Sequence, residues 1–224
     1  MITKFDAVLF DCDGVLVDSE PITNGVLRDM LAQQGWQMTP QECFAIFVGH
    51  ALIDQAPLIE KHTGKPVTPE WLALFRTLRD EALRARVQAV PNIHGAVKTL
   101  HAATGGRIAV ASGADHGKVT LQLTKVGLLP YFGGRTFSGM EQVRNKPYPD
   151  VYLVAAKSLG VPIERCAVIE DSPNGASAGV ASGATVWGYV PQGEYHAAGA
   201  ALQAVGVQRF FKDMAQLPSL LGLG

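Results

Sequence analysis

Short apolar segments alternate with helical segments over most of the chain. Four apolar runs have the length and composition of buried strands: 6–10, 107–111, 166–169 and 184–187. Weaker strand signals lie at 135–137 and 209–211. Four segments carry helix start or stop signals: 95–103, 115–126, 149–159 and 173–181. This alternation predicts an α/β fold with a mostly parallel sheet that helices cover on both faces.

The segment between the first strand and the alternating region is almost entirely helical. Helices are predicted over 20–34, 51–62 and 68–86, and another begins at the capping-box sequence of Thr39. Ser19 is the expected N-cap of the first of these helices. We therefore expect an α/β core domain of residues 1–16 and 89–224, with residues 17–88 inserted as a small helical domain.

Composition narrows the possible functions. The chain has 224 residues, of which 47% are hydrophobic and 17% charged, so it can bury a sizeable core. A net charge of -1 offers no basic surface for nucleic acid, and no apolar run reaches membrane-span length. Three cysteines cannot all pair, and no leader sequence precedes the first strand. These features favour a reduced, cytoplasmic protein without nucleic-acid or membrane partners.

Two carboxylates follow the first strand. Asp11 and Asp13 flank Cys12, and Gly14 lets the backbone turn away from the strand. In a continued strand both side chains would point the same way, and two like charges this close favour a neutralising cation. Taken alone, the segment is also compatible with a surface turn, because Asp and Gly are common turn residues.

Polar residues follow other predicted strands as well. Ser112 ends the second strand of the core, Glu170 and Asp171 end the next strong one, and Lys146 lies in a loop between these units. The carboxyl ends of parallel strands meet at one edge, so these groups should converge there. Individually, each has an ordinary alternative: a turn at Ser112, a helix cap at Asp171 or a solvated lysine. Jointly, they favour a single site.

The residue types indicate phosphoryl-transfer chemistry. Carboxylate oxygens suit Mg²⁺, and a carboxylate such as Asp11 can act as a nucleophile. Asp13 is placed to exchange protons with a leaving oxygen or with water. Ser112 and Lys146 can stabilise the charge of a phosphoryl group.

Four sequence motifs resemble those of the haloacid dehalogenase superfamily. They are Asp11-x-Asp13-Gly-Val-Leu-Val-Asp-Ser19, Ser112, Lys146-Pro147-x-Pro149-Asp150 and Glu170-Asp171-Ser172-x-x-Gly175. The resemblance covers essentially the whole chain and is to the branch with a Rossmann-like core and a helical cap. That branch contains sugar-phosphate phosphatases, phosphoglycolate phosphatases and β-phosphoglucomutases.

The resemblance implies a role for each motif residue. Asp11 would be the nucleophile and a metal ligand, and Asp13 would be the acid/base, binding the metal through its carbonyl group. Asp171 would complete the Mg²⁺ site, with Glu170 in it or beside it. The phosphoryl group would be held by the residues Ser112, Gly113 and Lys146.

Departures from the family's patterns favour a hydrolase. Asp13 argues against haloalkanoate dehalogenases, which lack this second aspartate. Mutases typically have histidine and arginine where this chain has Thr23 and Leu52. Alternatives are a β-phosphoglucomutase-like phosphotransferase, a phosphoglycolate phosphatase and a non-catalytic binding protein.

The expected substrate is a small phosphorylated metabolite, a sugar phosphate or a sugar-acid phosphate such as 6-phosphogluconate. The core motifs recognise phosphate only, so the inserted segment must select the rest of the molecule. Gly49 and His50 are the candidate contacts, although His50 could equally serve the start of the next helix. We expect a monomer.

Overall fold

The chain forms a six-stranded sheet in a computed structural model that describes residues 5–48, 52–192 and 199–224. The eight strands of the described residues are β1 (Ala7–Phe10), β2 (Val17–Asp18), β3 (Gln88–Ala89), β4 (Ile108–Ser112), β5 (Thr136–Ser138), β6 (Cys166–Glu170), β7 (Thr185–Tyr189) and β8 (Arg209–Phe211). A separate small sheet contains two of them, β2 and β3. The large sheet has the order β5-β4-β1-β6-β7-β8, and every pairing in it is parallel. The predicted mostly parallel α/β fold is confirmed.

Eleven α-helices lie in the described part of the chain. They are α1 (Glu20–Gln33), α2 (Pro40–Phe47), α3 (Ala56–Thr63), α4 (Pro69–Arg86), α5 (Ile93–Ala103), α6 (His116–Lys125), α7 (Leu129–Phe132), α8 (Asp150–Ser158), α9 (Pro173–Ser182), α10 (Gly199–Ala204) and α11 (Leu217–Leu220).

Strand β1 lies in the middle of the sheet and is buried on both faces. Its four residues are fully buried, and side chains alternate between the faces. Leu9 packs in a core cluster with Val151 of α8 and Ala176 of α9. Phe10, which points to the other face, meets Phe132 of α7 edge-on with 6.2 Å between ring centroids. Helices therefore cover β1 on both sides, which explains its uninterrupted apolar sequence.

The chain divides into two compact units. One comprises Met1–Asp18 and Gln88–Gly224, and the other is Ser19–Val87. The strands β2 and β3 pair antiparallel where the chain leaves the first unit and returns to it. The sequence did not indicate them, because two residues are too few to show a periodic pattern. The catalytic and cap roles expected of the two segments stay predictions.

The unit Ser19–Val87 is helical and has its own apolar cluster, which includes Leu31, Phe47 and Ile59. The Thr39 hydroxyl accepts a hydrogen bond from the Glu42 amide, and the Glu42 carboxylate accepts one from the Thr39 amide, which confirms the capping box.

One local prediction for this unit holds only in part, and another was wrong. Ser19 occupies the N-cap position of α1, but its side chain makes no capping hydrogen bond. The helix expected over 51–62 is instead a 3-10 turn at Leu52–Gln55 followed by α3. Pro57 lies in the first turn of α3, where proline is well suited, so it marks a helix start.

No single helix among the described residues is long and apolar enough to cross a membrane. One bent pair, Pro40–Phe47 with Leu52–Thr63, meets that test by length and composition only. Buried core helices pass the same test, and both members of this pair contribute side chains to the apolar cluster around Leu31.

Two helical glycines should respond oppositely to alanine. A Cβ at Gly179 would lie 2.8 Å from Val186 and 3.0 Å from Val168, whereas at Gly95 it would meet nothing within 4 Å. We expect Gly179→Ala to lower the free energy of unfolding by about 1–3 kcal/mol through overpacking. Gly95→Ala should raise it by about 0.5–1 kcal/mol through helix propensity. Denaturant unfolding measures both, and a stabilised Gly179→Ala variant would contradict the close packing of α9 on the sheet.

Candidate active site

Three neighbouring strands bring the predicted site residues to one edge of the sheet. Phe10 of β1 is paired with Val110 of β4 and with Ile169 of β6, all in parallel register. Asp11 directly follows Phe10, while Ser112 and Glu170 are the last residues of β4 and β6, so all three lie at the carboxyl end of the sheet. The Asp11 amide continues the ladder by donating to the Ile169 carbonyl at 3.0 Å.

Lys146 joins two buried carboxylates at this edge. Its Nζ atom lies 2.7 Å from Asp11 Oδ1 and 2.6 Å from Glu170 Oε1, and only 7% of its side chain is exposed. The Asn145 amide group holds the loop in place: Nδ2 donates to the Gly113 carbonyl at 2.9 Å, and Oδ1 accepts from the Lys146 amide at 2.8 Å. The loop that carries Lys146 is thus tied to the turn after β4.

Both carboxylate oxygens of Glu170 accept hydrogen bonds from neighbouring residues. Oε1 accepts hydrogen bonds from Lys146 and from the Tyr152 hydroxyl, the latter at 2.8 Å. Oε2 accepts from the Asp171 amide and from the amide and hydroxyl of Ser172, each at 3.1 Å. A Cβ atom at Gly175 would overlap the Glu170 carboxylate, so α9 can approach this closely only with glycine there.

Burial and charge set the proton affinities in this cluster. Burial raises the pKa of Asp11 well above its ordinary value; Glu170, Asp171 and Asp13 act in the same direction, and Lys146 opposes them. Burial alone would lower the pKa of Lys146, but the negative charges of Asp11 and Glu170 outweigh it and raise that pKa well above normal. The ammonium group of Lys146 therefore stays charged between its two partners.

Asp13 has a separate set of partners. Lys118 Nζ lies 2.8 Å from Asp13 Oδ1, and Gln122 Nε2 donates to the same oxygen at 2.9 Å. Strand β1 ends at Phe10, so the alternation of a strand does not set the direction of Asp13 relative to Asp11. Each of the two aspartates instead has its own lysine.

Gly14 makes room for Asp171. Its φ angle is +76°, in the left-handed region, and a Cβ atom there would overlap the Asp171 carboxylate. The Gly14 amide donates to the Val17 carbonyl at 2.8 Å and closes the loop after β1. A glycine at this position lets the loop and the end of β6 meet.

The carboxylates Asp11, Glu170 and Asp171 fit a divalent cation. Their ligand oxygens lie within 4.8 Å of one another, and hard oxygen donors are those that Mg²⁺ prefers. Since both oxygens of Glu170 already accept hydrogen bonds, Asp11 and Asp171 are the better candidates for direct ligands. The carboxylate of Asp13 is not part of this cluster, and the metal contact expected through its carbonyl group stays a prediction.

Two of the remaining predicted site residues, Ser112 and Gly113, lie at the turn after β4. Ser112 is buried, and its hydroxyl oxygen accepts a hydrogen bond from the Ala114 amide at 3.0 Å, so Ser112 does shape a turn. A hydroxyl that accepts one bond can still donate its own proton, which keeps the phosphate role of Ser112 open as a prediction. Gly113 lies in the same turn. Gly49 and His50 lie outside the described residues.

Sequence reasoning missed Lys118, Gln122 and Tyr152. Lys118 and Gln122 are one turn apart on the buried face of α6, among the buried apolar residues Val119 and Leu123. Polar residues on an apolar helix face are the signal that could have found them. Tyr152 offered no such signal, because a buried tyrosine is common in any core.

Removing Lys146 should expose the cost of the buried carboxylates. In a metal-free buffer at pH 7, we expect Lys146→Met to lower the free energy of unfolding by about 3–5 kcal/mol, because Asp11 and Glu170 lose their counterion. The pKa of Asp11 is higher in the folded protein than in the unfolded chain, so ionised Asp11 destabilises the fold at high pH. This destabilisation is lost as falling pH protonates the carboxylate. The deficit should therefore shrink from pH 7 to pH 5.

Lys157→Met, an exposed substitution on α8, is the matched control. Denaturant titrations at both pH values measure the two variants. A Lys146→Met deficit that is small, or that grows at low pH, would contradict the charge balance described for this site.

The sequence is similar to known proteins over most of its length. A sequence model of the haloacid dehalogenase-like hydrolase family matches residues 5–183. The chain is 32% identical over 186 residues to the 6-phosphogluconate phosphatase of Escherichia coli (strain K12), covering 83% of each protein. It is 31% identical over 180 residues to hexitol phosphatase A of the same organism, covering 80% of each.

A solved structure agrees over nearly the whole chain. The HAD family hydrolase of Deinococcus radiodurans R1, determined with bound phosphate and sodium, is 35% identical with a TM-score of 0.82. The match covers 99% of this chain and 98% of that one. The resemblance seen in the sequence motifs is confirmed: the chain belongs to the haloacid dehalogenase-like hydrolases.

Proposed function

We propose that this hydrolase is a Mg²⁺-dependent phosphomonoesterase that works through an aspartyl-phosphate on Asp11. The observation that carries the proposal is the buried Asp11 carboxylate, paired with Lys146 and clustered with Glu170 and Asp171 at the carboxyl edge of the sheet. Positioning and charge compensation are what phosphoryl transfer requires, and this arrangement supplies both.

In the first step a carboxylate oxygen of Asp11 attacks phosphorus, and the bond from phosphorus to the leaving oxygen breaks. Asp13 donates its proton to that oxygen, so the product leaves as an alcohol. Lys146 and Ser112 hold the phosphoryl oxygens. In the second step Asp13 takes a proton from water, the water oxygen attacks phosphorus, and inorganic phosphate leaves with Asp11 regenerated.

A metal ion would be held by Asp11 and Asp171, and it would neutralise charge on the carboxylates and the phosphoryl group. Tyr152 and Glu170 contribute by holding Lys146, since the Tyr152 hydroxyl and the Lys146 ammonium share Glu170 Oε1. Burial and Glu170 raise the pKa of Tyr152 well above its ordinary value, so this hydroxyl keeps its proton and remains a donor.

The proposed substrate is a sugar phosphate or sugar-acid phosphate such as 6-phosphogluconate. Two relatives at over 30% identity act on a phosphorylated sugar acid and on hexitol phosphates, by their names. The selection of the leaving group belongs, in this proposal, to the helical segment 17–88, and to Gly49 and His50 within it. A monomer in the cytoplasm completes the proposal.

Replacing the nucleophile tests the proposal directly. Wild type should release inorganic phosphate from p-nitrophenyl phosphate and from some of a panel of sugar, sugar-acid and hexitol phosphates and phosphoglycolate. We expect Asp11→Asn to lower turnover by at least about 10³-fold, because an amide is not a nucleophile. Acid-quenched wild type should also carry a hydroxylamine-labile phosphate label that the variant lacks.

Glu164→Gln, the same carboxylate-to-amide change at an exposed position just before β6, is the control and should behave as wild type. Near-normal turnover by Asp11→Asn would rule out Asp11 as the nucleophile. Isomerised sugar phosphate without net phosphate release would point to a phosphotransferase instead.

Magnesium should stabilise the folded protein whether or not a substrate is present. At a hundredfold excess of MgCl₂ over its Kd, mass action predicts about 2.7 kcal/mol of stabilisation, seen as a higher Tm. Asp171→Asn should lose most of this shift, since it removes one carboxylate of the cluster. Thermal unfolding with and without MgCl₂ measures the effect, with the exposed Glu164→Gln as control. Full activity after chelation, or an equal Tm shift in Asp171→Asn, would contradict the proposed site.

A further inference from the structure

Helix α6 presents two donors to one oxygen of Asp13. Lys118 Nζ and Gln122 Nε2 lie 2.8 Å and 2.9 Å from Asp13 Oδ1. Lys118 is 6% exposed and Gln122 is fully buried, so these contacts form largely away from water. Neither residue belongs to the four motifs that carry the resemblance to the family.

Further contacts orient the Gln122 amide group and hold the start of α6. The Cys12 thiol donates to Gln122 Oε1 at 3.6 Å, which turns the amide nitrogen of Gln122 toward Asp13. The Asp115 side chain caps α6 by accepting from the Lys118 amide at 2.8 Å. The donors therefore stand on a capped helix that begins shortly after Ser112 at the end of β4.

Burying a lysine side chain lowers the stability of the folded protein unless other interactions compensate for it. Desolvation of an ammonium group costs several kcal/mol, and a buried ion pair is often no better for stability than apolar residues of similar volume. Stability alone therefore does not explain why α6 carries Lys118 and Gln122 on its apolar face. Precise placement of the carboxylate they contact does explain it.

We propose that Lys118 and Gln122 are positioning residues for Asp13: they hold its carboxyl group where it exchanges a proton with the leaving oxygen. This inference rests on the proposed phosphomonoesterase function. Two donors on the same oxygen fix the side-chain rotation of Asp13, so its carboxyl group is already oriented toward the leaving oxygen when the substrate binds. Lys146 serves Asp11 and Glu170, and Lys118 serves Asp13.

The leaving group provides a selective readout of this role. A p-nitrophenolate departs without a proton, whereas an alkoxide from a sugar needs one in the transition state. A change that misplaces Asp13 therefore slows poor leaving groups far more than good ones. General damage to the site would slow all of them alike.

The experiment measures kcat/KM of Lys118→Met and Gln122→Met on substituted phenyl phosphates of graded leaving-group pKa, and on an alkyl phosphate that wild type hydrolyses. We expect a loss on the order of 10- to 100-fold for the alkyl phosphate and at most about threefold for p-nitrophenyl phosphate. Lys125→Met makes the same charge change at an exposed position of α6 and should match wild type.

A double-mutant cycle with Asp13→Asn completes the test. If Lys118 acts through Asp13, Lys118→Met should lower kcat/KM for phenyl phosphate no further in that background. Losses that are equal across leaving groups, or that multiply in the double mutant, overturn the proposal. If Lys118→Met does not fold, the same criteria are applied to Gln122→Met. Lys118→Arg, which keeps the positive charge, should retain a large part of the wild-type activity on the alkyl phosphate.

Different results would contradict the phosphomonoesterase function and the positioning role of Lys118 and Gln122. A wild-type protein that releases no phosphate from any monoester overturns the proposed function, and this inference with it. A wild-type protein that hydrolyses monoesters, beside Lys118 and Gln122 variants that follow the same leaving-group dependence as wild type, overturns this inference alone.

Discussion

The placement of four carboxylates at one buried sheet edge is the constraint on which the rest of the site depends. Asp11, Asp13, Glu170 and Asp171 gather there because β1 and β6 are adjacent, parallel and in register. Negative charges so close together and so little solvated would not stay ionised without compensation. The structure provides it through two buried lysines, Lys118 and Lys146, which reach the edge from different parts of the chain.

Much of this arrangement could be predicted from the sequence, because local patterns determine it. Apolar runs indicated the strands of the sheet, and the rule that parallel strands end at one edge brought Asp11, Ser112 and Glu170 together. The small strands β2 and β3 and the short helix α7 gave no periodic signal. Lys118 and Tyr152 contact partners that lie 105 and 18 residues away in sequence. The buried face of α6 could have singled out Lys118, but only the folded chain shows which carboxylate each of the two residues contacts.

Glu170 shows why an acidic residue in a motif need not be a ligand. Its carboxylate receives donors from the loop of Lys146, from α8 through Tyr152 and from the start of α9 through Ser172. These contacts satisfy both oxygens and lock Lys146 toward Asp11. In the proposed mechanism Glu170 would therefore act through Lys146, which is the group that would contact phosphate.

The charges of the four carboxylates and the two lysines do not balance. Four carboxylates and two ammonium groups leave a formal excess of two negative charges. Burial is the main cause of the raised pKa of Asp11, and the neighbouring carboxylates add to it. A proton on Asp11 would relieve the charge excess, but a protonated carboxyl group is a poor nucleophile, and in the proposed mechanism Asp11 has to attack phosphorus. A divalent cation relieves it without that cost. In the proposed mechanism a phosphate dianion would add further negative charge, so the cation would have to bind before the substrate or together with it.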